Sequence, residues 1–220
     1  MDSLNRLIEI FSHFPGIGPR QARRFAYYLL GKPQSFIKEF AKLVEEVKSS
    51  TSQCVECQRL FIASANVRLS AEAAKSKLYN ICNICADMSR DRSTLMVVAR
   101  DSDFESIEKS GAYKGLYFIL GGTVPILDKE PEKRIHLRAL LERVSRTDNS
   151  GAATGFKEII LSLNTTPDGE HTALIVREAI AKLAKSKSTK LTVLGRGLST
   201  GAELEYVDSE TIKNALKNRA

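Results

Sequence analysis

The first fifty residues carry apolar side chains with the period of an α-helix, in three successive segments. Each segment keeps its apolar residues three or four positions apart, so that they share one face. These residues are Leu4, Leu7, Ile8 and Phe11, then Ala22, Phe25, Ala26 and Leu29, and then Ile37, Phe40, Val44 and Val47. The pattern predicts three helices, the third with Ser35 as its N-cap and with its apolar face turned inward like the others.

From Thr94 the pattern changes to short apolar runs separated by helical segments. The runs TLMVVA, GLYFIL, EIILSL and KLTVL are predicted to be buried strands, and helices are predicted near 103–110, 135–144 and 170–184. Strands and helices in alternation predict an α/β fold with a mainly parallel sheet flanked by helices. The polar, glycine-rich stretch from Ser145 to Gly155 is predicted to be a mobile loop.

Composition narrows the possible function classes. Hydrophobic residues make up 43% of the 220 residues, and 33 Lys and Arg against 26 Asp and Glu leave a formal charge of +7. This basic balance favours a polyanionic partner such as nucleic acid. No apolar run reaches the roughly 18 residues of a membrane-spanning helix, and the start MDSLNRLIEIF lacks the pattern of a signal peptide. We therefore expect a cytoplasmic protein.

The stretch FPGIGPRQARRFAYYLL joins the first two predicted helices and is a candidate binding site. Gly16 and Gly18 permit a tight turn, and Pro19 suits the first position of the helix that follows. The free N–H groups at the start of that helix would point outward, where they favour a phosphate group.

Basic side chains follow this turn and avoid the apolar face of the second helix, and no acidic residue lies between Glu9 and Glu39. This is the layout of a helix-hairpin-helix, a module that grips the DNA backbone without reading bases. The alternative is an ordinary helical hairpin with a solvated basic face. The residues predicted to contact DNA are Gly16, Gly18, Arg20, Arg23 and Arg24.

The four cysteines of the chain form two matched pairs, Cys54-x2-Cys57 and Cys82-x2-Cys85, with 24 residues between them. Each pair can chelate one ion, and two pairs complete the tetrahedral thiolate shell that Zn²⁺ favours. Since no further ligand is indicated, we predict one structural zinc ion per chain in a zinc-finger region. The alternatives are redox-active CxxC pairs and buried thiols without a ligand.

With these motifs in one order, the chain resembles the RecR family of bacterial recombination mediator proteins. The resemblance covers nearly the whole chain: the glycine hairpin, the four cysteines, and then a Toprim domain. It also rests on EKSGAYKGLYFILGG, LLERV, NTTPDGEHTA and GLSTGAELEYVD, of which the first and the last are the most specific. The stretch between the cysteine pairs is longer than is usual in the family.

The resemblance implies a non-catalytic role in recombinational DNA repair. Family members act with RecO and RecF to promote the loading of RecA at gapped DNA, and they assemble into rings that can encircle duplex DNA. A homo-oligomer, either a dimer or a tetramer ring, is therefore expected, in the bacterial cytoplasm and associated with the nucleoid. By the same carry-over, Arg20 and Arg24 match basic hairpin positions implicated in DNA binding.

A Mg²⁺-dependent nuclease or strand-transfer enzyme is the main alternative, because Toprim domains of topoisomerases and primases hold Mg²⁺ with carboxylates. Asp168 and Glu170 match the later acidic pair of that site, but Ala99 stands where a glutamate is needed and Arg100 follows it. An incomplete carboxylate set binds Mg²⁺ poorly. We therefore predict no enzymatic activity, and interpret Asp168 and Glu170 as a surface for a protein partner or as remnants of the fold.

A third hypothesis is an adaptor that binds only proteins and whose basic face keeps it in solution. The favoured interpretation divides the chain into four parts. They are a helix-hairpin-helix region at 1–53, a zinc-finger region at 54–93, a Toprim domain at 94–197 and a carboxyl-terminal segment at 198–220.

Overall fold

The computed structural model describes residues 2–62, 80–128, 130–146, 155–184 and 189–218. Two compact units divide the chain, Met1–Thr51 and Ser52–Ala220. Most of the loop predicted between Ser145 and Gly155, and most of the long stretch between the cysteine pairs, lie outside the described residues. Within the described ranges, no helix combines the length and the apolar character needed to cross a bilayer.

The first unit consists of three helices, α1 Ser3–Ser12, α2 Pro19–Leu30 and α3 Gln34–Ser50. Phe11 of α1 packs against Ala22 and Ala26 of α2, and small side chains at the last two positions let the helices approach closely. All the other apolar residues predicted to face inward on α1 and α2 pack around this centre. The predicted apolar faces of these two helices are confirmed.

The interpretation of α3 is wrong in two respects. The helix begins at Gln34 after an N-cap at Pro33, and none of its residues is buried. Phe40, Val44 and Val47 are 44%, 55% and 52% exposed instead of facing a core. The apolar period of α3 is real, but the small core of this unit is already filled by α1 and α2.

The second unit alternates strands and helices, as the apolar runs predicted. A short two-stranded sheet pairs β1 with β2, and a separate four-stranded sheet has the order β4-β3-β5-β6 with every neighbouring pair parallel. The elements are β1 Thr51–Gln53, β2 Leu60–Ile62, α4 Asn83–Ala86, β3 Asp91–Val98, α5 Asp101–Ser110, β4 Gly115–Ile119, α6 Pro131–Arg134, α7 Leu137–Ser145, β5 Glu158–Ser162, α8 Pro167–Ala184, β6 Lys190–Val193 and α9 Ser209–Lys217. The α/β prediction is confirmed.

The two faces of this sheet are covered by different layers. Leu95 and Val97 of β3 point into a core shared with α7 and α8, whereas Met96 and Val98 point into a core shared with α5 and the cysteines. Side chains alternate between the faces of a strand, and both faces are buried here. This explains why the strands appear in the sequence as continuous apolar runs.

Candidate nucleic-acid interface and metal centre

The turn between α1 and α2 is built on one glycine in the left-handed region. Gly16 has φ +76°, a conformation that costs little only without a Cβ. Ile17 donates its backbone N–H to the oxygen of Phe14 at 3.0 Å and packs its side chain against the α1–α2 core. This anchor fixes the position at which the next helix begins.

The amino terminus of α2 is left open and electropositive. Gly18 is its N-cap with φ −83°, no side chain caps the helix, and its first turn contains no acidic residue. A Cβ added at Gly18 would meet no atom within 4 Å. The unpaired N–H groups and the helix dipole therefore face a space that an anion can enter.

Three arginines extend this positive charge along α2. Arg20, Arg23 and Arg24 are all exposed, and we refer to them as the arginine face. Arg24 donates to the side-chain oxygen of Gln21 at 3.4 Å, and within the part of the chain that the structure describes no carboxylate pairs with any of the three. Their charge is available to a ligand.

Two exposed tyrosines beside the arginine face were not among the predicted site residues. Tyr27 and Tyr28 are each 57% exposed, and both line the same groove as the arginines. The ammonium group of Lys32 lies 4.3 Å from the ring centroid of Tyr28. Tyr27 and Tyr28 follow Arg24 by three and four residues, and residues at these spacings share a helix surface. This spacing is the signal in the sequence that could have identified them as site residues.

The four cysteines come together as the spacing predicts. They are buried, their thiols are free, and all four sulfur atoms lie within 4.8 Å of one another. The sulfurs of Cys57 and Cys82 are 3.6 Å apart. A tetrahedral zinc site with Zn–S bonds of about 2.3 Å separates its sulfurs by about 3.8 Å, so the cluster fits a zinc ion.

Backbone hydrogen bonds hold each cysteine pair in a tight turn. Gln58 donates to the oxygen of Cys54 at 2.9 Å with a left-handed φ of +62°, and Ala86 donates to the oxygen of Cys82 at 3.0 Å. Hydrogen bonds among the thiols, with Cys57 the strongest partner, lower the pKa of Cys54, and the bond to Cys54 raises the pKa of Cys57.

A buried arginine connects this cluster to the sheet. Arg143 of α7 is 7% exposed and donates through Nη1 to the backbone oxygens of Glu56 at 2.6 Å and Tyr117 at 2.9 Å. Its Nη2 lies 3.9 Å from the sulfur of Cys85. The oxygen of Cys57 in turn accepts from the backbone N–H of Ile119 in β4 at 2.8 Å. In the sequence, Arg143 is distinguished only as part of LLERV, because no local pattern indicates a contact between distant segments.

Among the residues that the structure describes, the carboxylates of the Toprim region are not gathered into a metal site. Asp168 and Glu170 lie in the first turn of α8, and Glu170 pairs with Arg196 at 2.9 Å. Asp101 accepts from the backbone of Leu60 at 3.0 Å. Among the described residues, the cysteines are the only group of three or more potential ligands that the fold brings together.

Comparison with known proteins agrees with this geometry. Family models described as "RecR, helix-hairpin-helix", "Toprim domain" and "RecR, C-terminal" match residues 4–48, 93–195 and 197–220. The chain is similar to "Recombination protein RecR" of Chlorobium chlorochromatii, with 36% identity over 217 residues that cover 99% of this chain and 96% of the relative.

Two other relatives with the same name show a similar extent. The protein of Lactobacillus acidophilus is 33% identical over 213 residues, covering 97% of this chain and 94% of the relative. That of Prochlorococcus marinus is 34% identical over 216 residues, covering 98% and 94%. Since the similarity spans nearly the whole length and includes both RecR-specific regions, the chain belongs to the RecR family of recombination proteins.

Proposed function

We propose that this RecR-family protein acts in recombinational DNA repair by binding DNA, without catalysing a reaction. The observation that supports this most is the open amino terminus of α2, which is followed by three exposed arginines that no described carboxylate neutralises. Backbone N–H groups and guanidinium groups are the usual donors to DNA phosphates. The hairpin from Gly16 to Arg24 is thus suited to the sugar-phosphate backbone.

The experiment is a salt titration of DNA binding with the full-length protein. Replacing Arg20 and Arg24 by alanine should weaken binding on every sequence and reduce the slope of log K against log salt by about one unit per lost phosphate contact. The matched control replaces Lys38 and Lys42 of α3, which changes the net charge equally on another helix. If both variants lost DNA affinity equally, the loss would reflect the general charge of the protein and not a specific site. If the protein bound only protein partners and no DNA, the adaptor hypothesis would be favoured.

We further propose that the metal of the cysteine cluster is zinc, at one ion per chain, held by Cys54, Cys57, Cys82 and Cys85. Four thiolates select a soft or borderline cation, and the sulfur distances fit a tetrahedral shell. With all four positions occupied by protein, such an ion has a structural role. Elemental analysis of freshly purified, reduced protein is the test, and a zinc content near zero would contradict it.

The partners proposed from the family resemblance are RecO and RecF, with RecA loading at gapped DNA as the outcome. Asp168 and Glu170 are the proposed contact surface, because Glu170 is exposed and Asp168 half-buried in the first turn of α8. No described residue joins them in a metal site. Changing both to their amides keeps their size and removes the charge. Weaker binding to purified RecO is expected, and Glu105→Gln on α5 is the control.

A homo-oligomer is proposed as well, and the exposed face of α3 supports it. Five apolar side chains with exposures between 37% and 55% form a continuous stripe on this helix, and exposed patches of this kind commonly mark interfaces. They are Phe36, Phe40, Leu43, Val44 and Val47. Val44→Lys should lower the mass in solution, whereas Glu45→Lys, on the opposite side of α3, should leave it unchanged.

We also propose the four-part division of the chain at 1–53, 54–93, 94–197 and 198–220, and a bacterial cytoplasmic location at the nucleoid. The free state of all four thiols is consistent with a reducing compartment.

For the absence of catalysis, a cleavage assay with Mg²⁺ or Mn²⁺ is decisive. Metal-dependent cleavage that is lost in Asp168→Ala would overturn the proposal.

A further inference from the structure

An aromatic ring lies next to the arginine face, about one helical turn further along α2. Tyr27 follows Arg23 by four residues and Arg24 by three, so its ring and their guanidinium groups share one side of α2. The core of this unit does not require the ring, because α2 packs on α1 through other residues and Tyr27 is 57% exposed. A phenol can donate its O–H to a phosphate oxygen, but its ring offers in addition a face on which a base can stack.

The neighbouring Tyr28 shows why Tyr27 is distinctive. Both side chains have the same exposure, but Lys32 covers the ring of Tyr28 at 4.3 Å. Among the described residues, no cation or second ring is placed over Tyr27. Its ring therefore carries no cation from the described part of the chain, and more than half of the residue is accessible to a ligand.

A ligand that combines a planar group with phosphates is a nucleotide. Whether its base can reach the ring of Tyr27 depends on whether the DNA is single-stranded or duplex. In a duplex the bases stack on one another and present only their edges in the grooves. In a single strand a base can turn out and stack on an aromatic side chain. Any of the four bases can do so, because each has a π face. The combination of aromatic ring and basic groove is typical of proteins that bind single strands.

We infer that Tyr27 stacks on an unpaired base while Arg20, Arg23 and Arg24 hold the adjacent phosphates. The hairpin then binds single-stranded DNA more tightly than duplex of the same sequence. This inference rests on the proposed DNA contact of the hairpin and adds the form of DNA that it prefers. In gapped DNA, the hairpin would therefore bind the unpaired strand.

The test compares the full-length protein with Tyr27→Leu, Tyr27→Phe and the control Tyr206→Leu, which removes a tyrosine that is 79% exposed in the second unit. Affinities for a labelled single strand and for its duplex are measured by fluorescence anisotropy at one salt concentration. Tyr27→Leu should weaken binding to the single strand about five- to a hundredfold, as the loss of one stacked base predicts, and should change duplex binding little. Tyr27→Phe keeps the ring and should bind like the original, as should Tyr206→Leu.

Two further readouts separate stacking from other roles of the residue. A 2-aminopurine base in the single strand should be quenched on binding by the original protein and by Tyr27→Phe, and not by Tyr27→Leu. The salt slope should stay unchanged in Tyr27→Leu, because no phosphate contact is lost. Circular dichroism and the mass in solution should also stay unchanged.

Equal weakening of single-strand and duplex binding by Tyr27→Leu, or no weakening of either, would overturn the inference while leaving the proposed DNA contact intact. A changed mass in solution would place the ring between copies of the chain and overturn it as well. If the original protein bound neither form of DNA at low salt, the proposed function itself would fail.

Discussion

The guanidinium group of Arg143 donates a hydrogen bond to the backbone oxygen of Glu56 at 2.6 Å, across 87 residues of sequence. The same Nη1 atom donates to the oxygen of Tyr117 in β4. One side chain therefore joins a helix, an edge strand and the turn that carries two of the cysteines.

Replacing Arg143 by leucine should destabilise the protein by about 2–5 kcal/mol, because the buried oxygens that it satisfies lose their donor. Urea unfolding followed by circular dichroism measures this change. Arg138→Leu is the matched control on α7, since its side chain is 93% exposed and pairs with the neighbouring Glu142 on the surface. A loss no larger than that of the control would show that Arg143 contributes little to stability.

Metal removal should destabilise the second unit, because the cysteines form part of the core beneath β3 and β4. Treatment with a chelator should lower the thermal midpoint by roughly 10 °C, and added Zn²⁺ should restore it. Cys82→Ser should show the low midpoint with and without added zinc. An unchanged midpoint after the metal has been stripped would mean that the cluster is stable as free thiols.

Gly16 and Gly18 should respond differently to substitution. Gly16→Ala forces a Cβ into φ +76° and should cost about 1–2 kcal/mol of stability. Gly18→Ser should leave stability equal or slightly higher, because serine is a good N-cap and no atom obstructs it. Its hydroxyl would nevertheless occupy the N–H groups offered to phosphate, so DNA affinity should fall. Parallel urea unfolding and DNA titration distinguish the two effects.

At alkaline pH, the free energy of unfolding should fall as tyrosines with raised pKa values ionise. Burial raises the pKa of Tyr113 to about 12, against about 10 for a tyrosine in water. Since the unfolded chain loses this proton first, the free energy of unfolding should be insensitive to the group below pH 10 and fall as the pH rises to about 12.

The Tyr113→Phe variant isolates this contribution. Its unfolding free energy should fall less steeply over the same pH range, although not to zero slope, because burial also raises the pKa of Tyr117. Urea unfolding at a series of pH values measures both slopes. Identical slopes would show that Tyr113 ionises as readily in the folded chain as in the unfolded one.

The parts of this fold that could be predicted from sequence depend on local patterns. The strands were visible because burial on both faces leaves uninterrupted apolar runs, as in Leu95 to Val98. The cysteine cluster was visible because two short spacings suffice to define a chelating shell.

The parts that could not be predicted depend on what packs against each face. The period of α3 shows an apolar stripe, but nothing in the pattern says whether Val44 meets a core, a second copy or water. The contacts of Arg143 join distant segments, so its role had no local signature. Tyr27 lies outside the apolar period of α2, but the difference between its ring and the ring of Tyr28, which Lys32 covers, is visible only in the structure.

The contacts around β4 also have a consequence for solubility. This strand is at the edge of the sheet, and the outward-pointing oxygen of Tyr117 and N–H of Ile119 are occupied by Arg143 and by the oxygen of Cys57. An unprotected edge strand is a template for pairing with other chains. The cysteine turn and Arg143 therefore cover part of this edge and protect it from pairing with another chain.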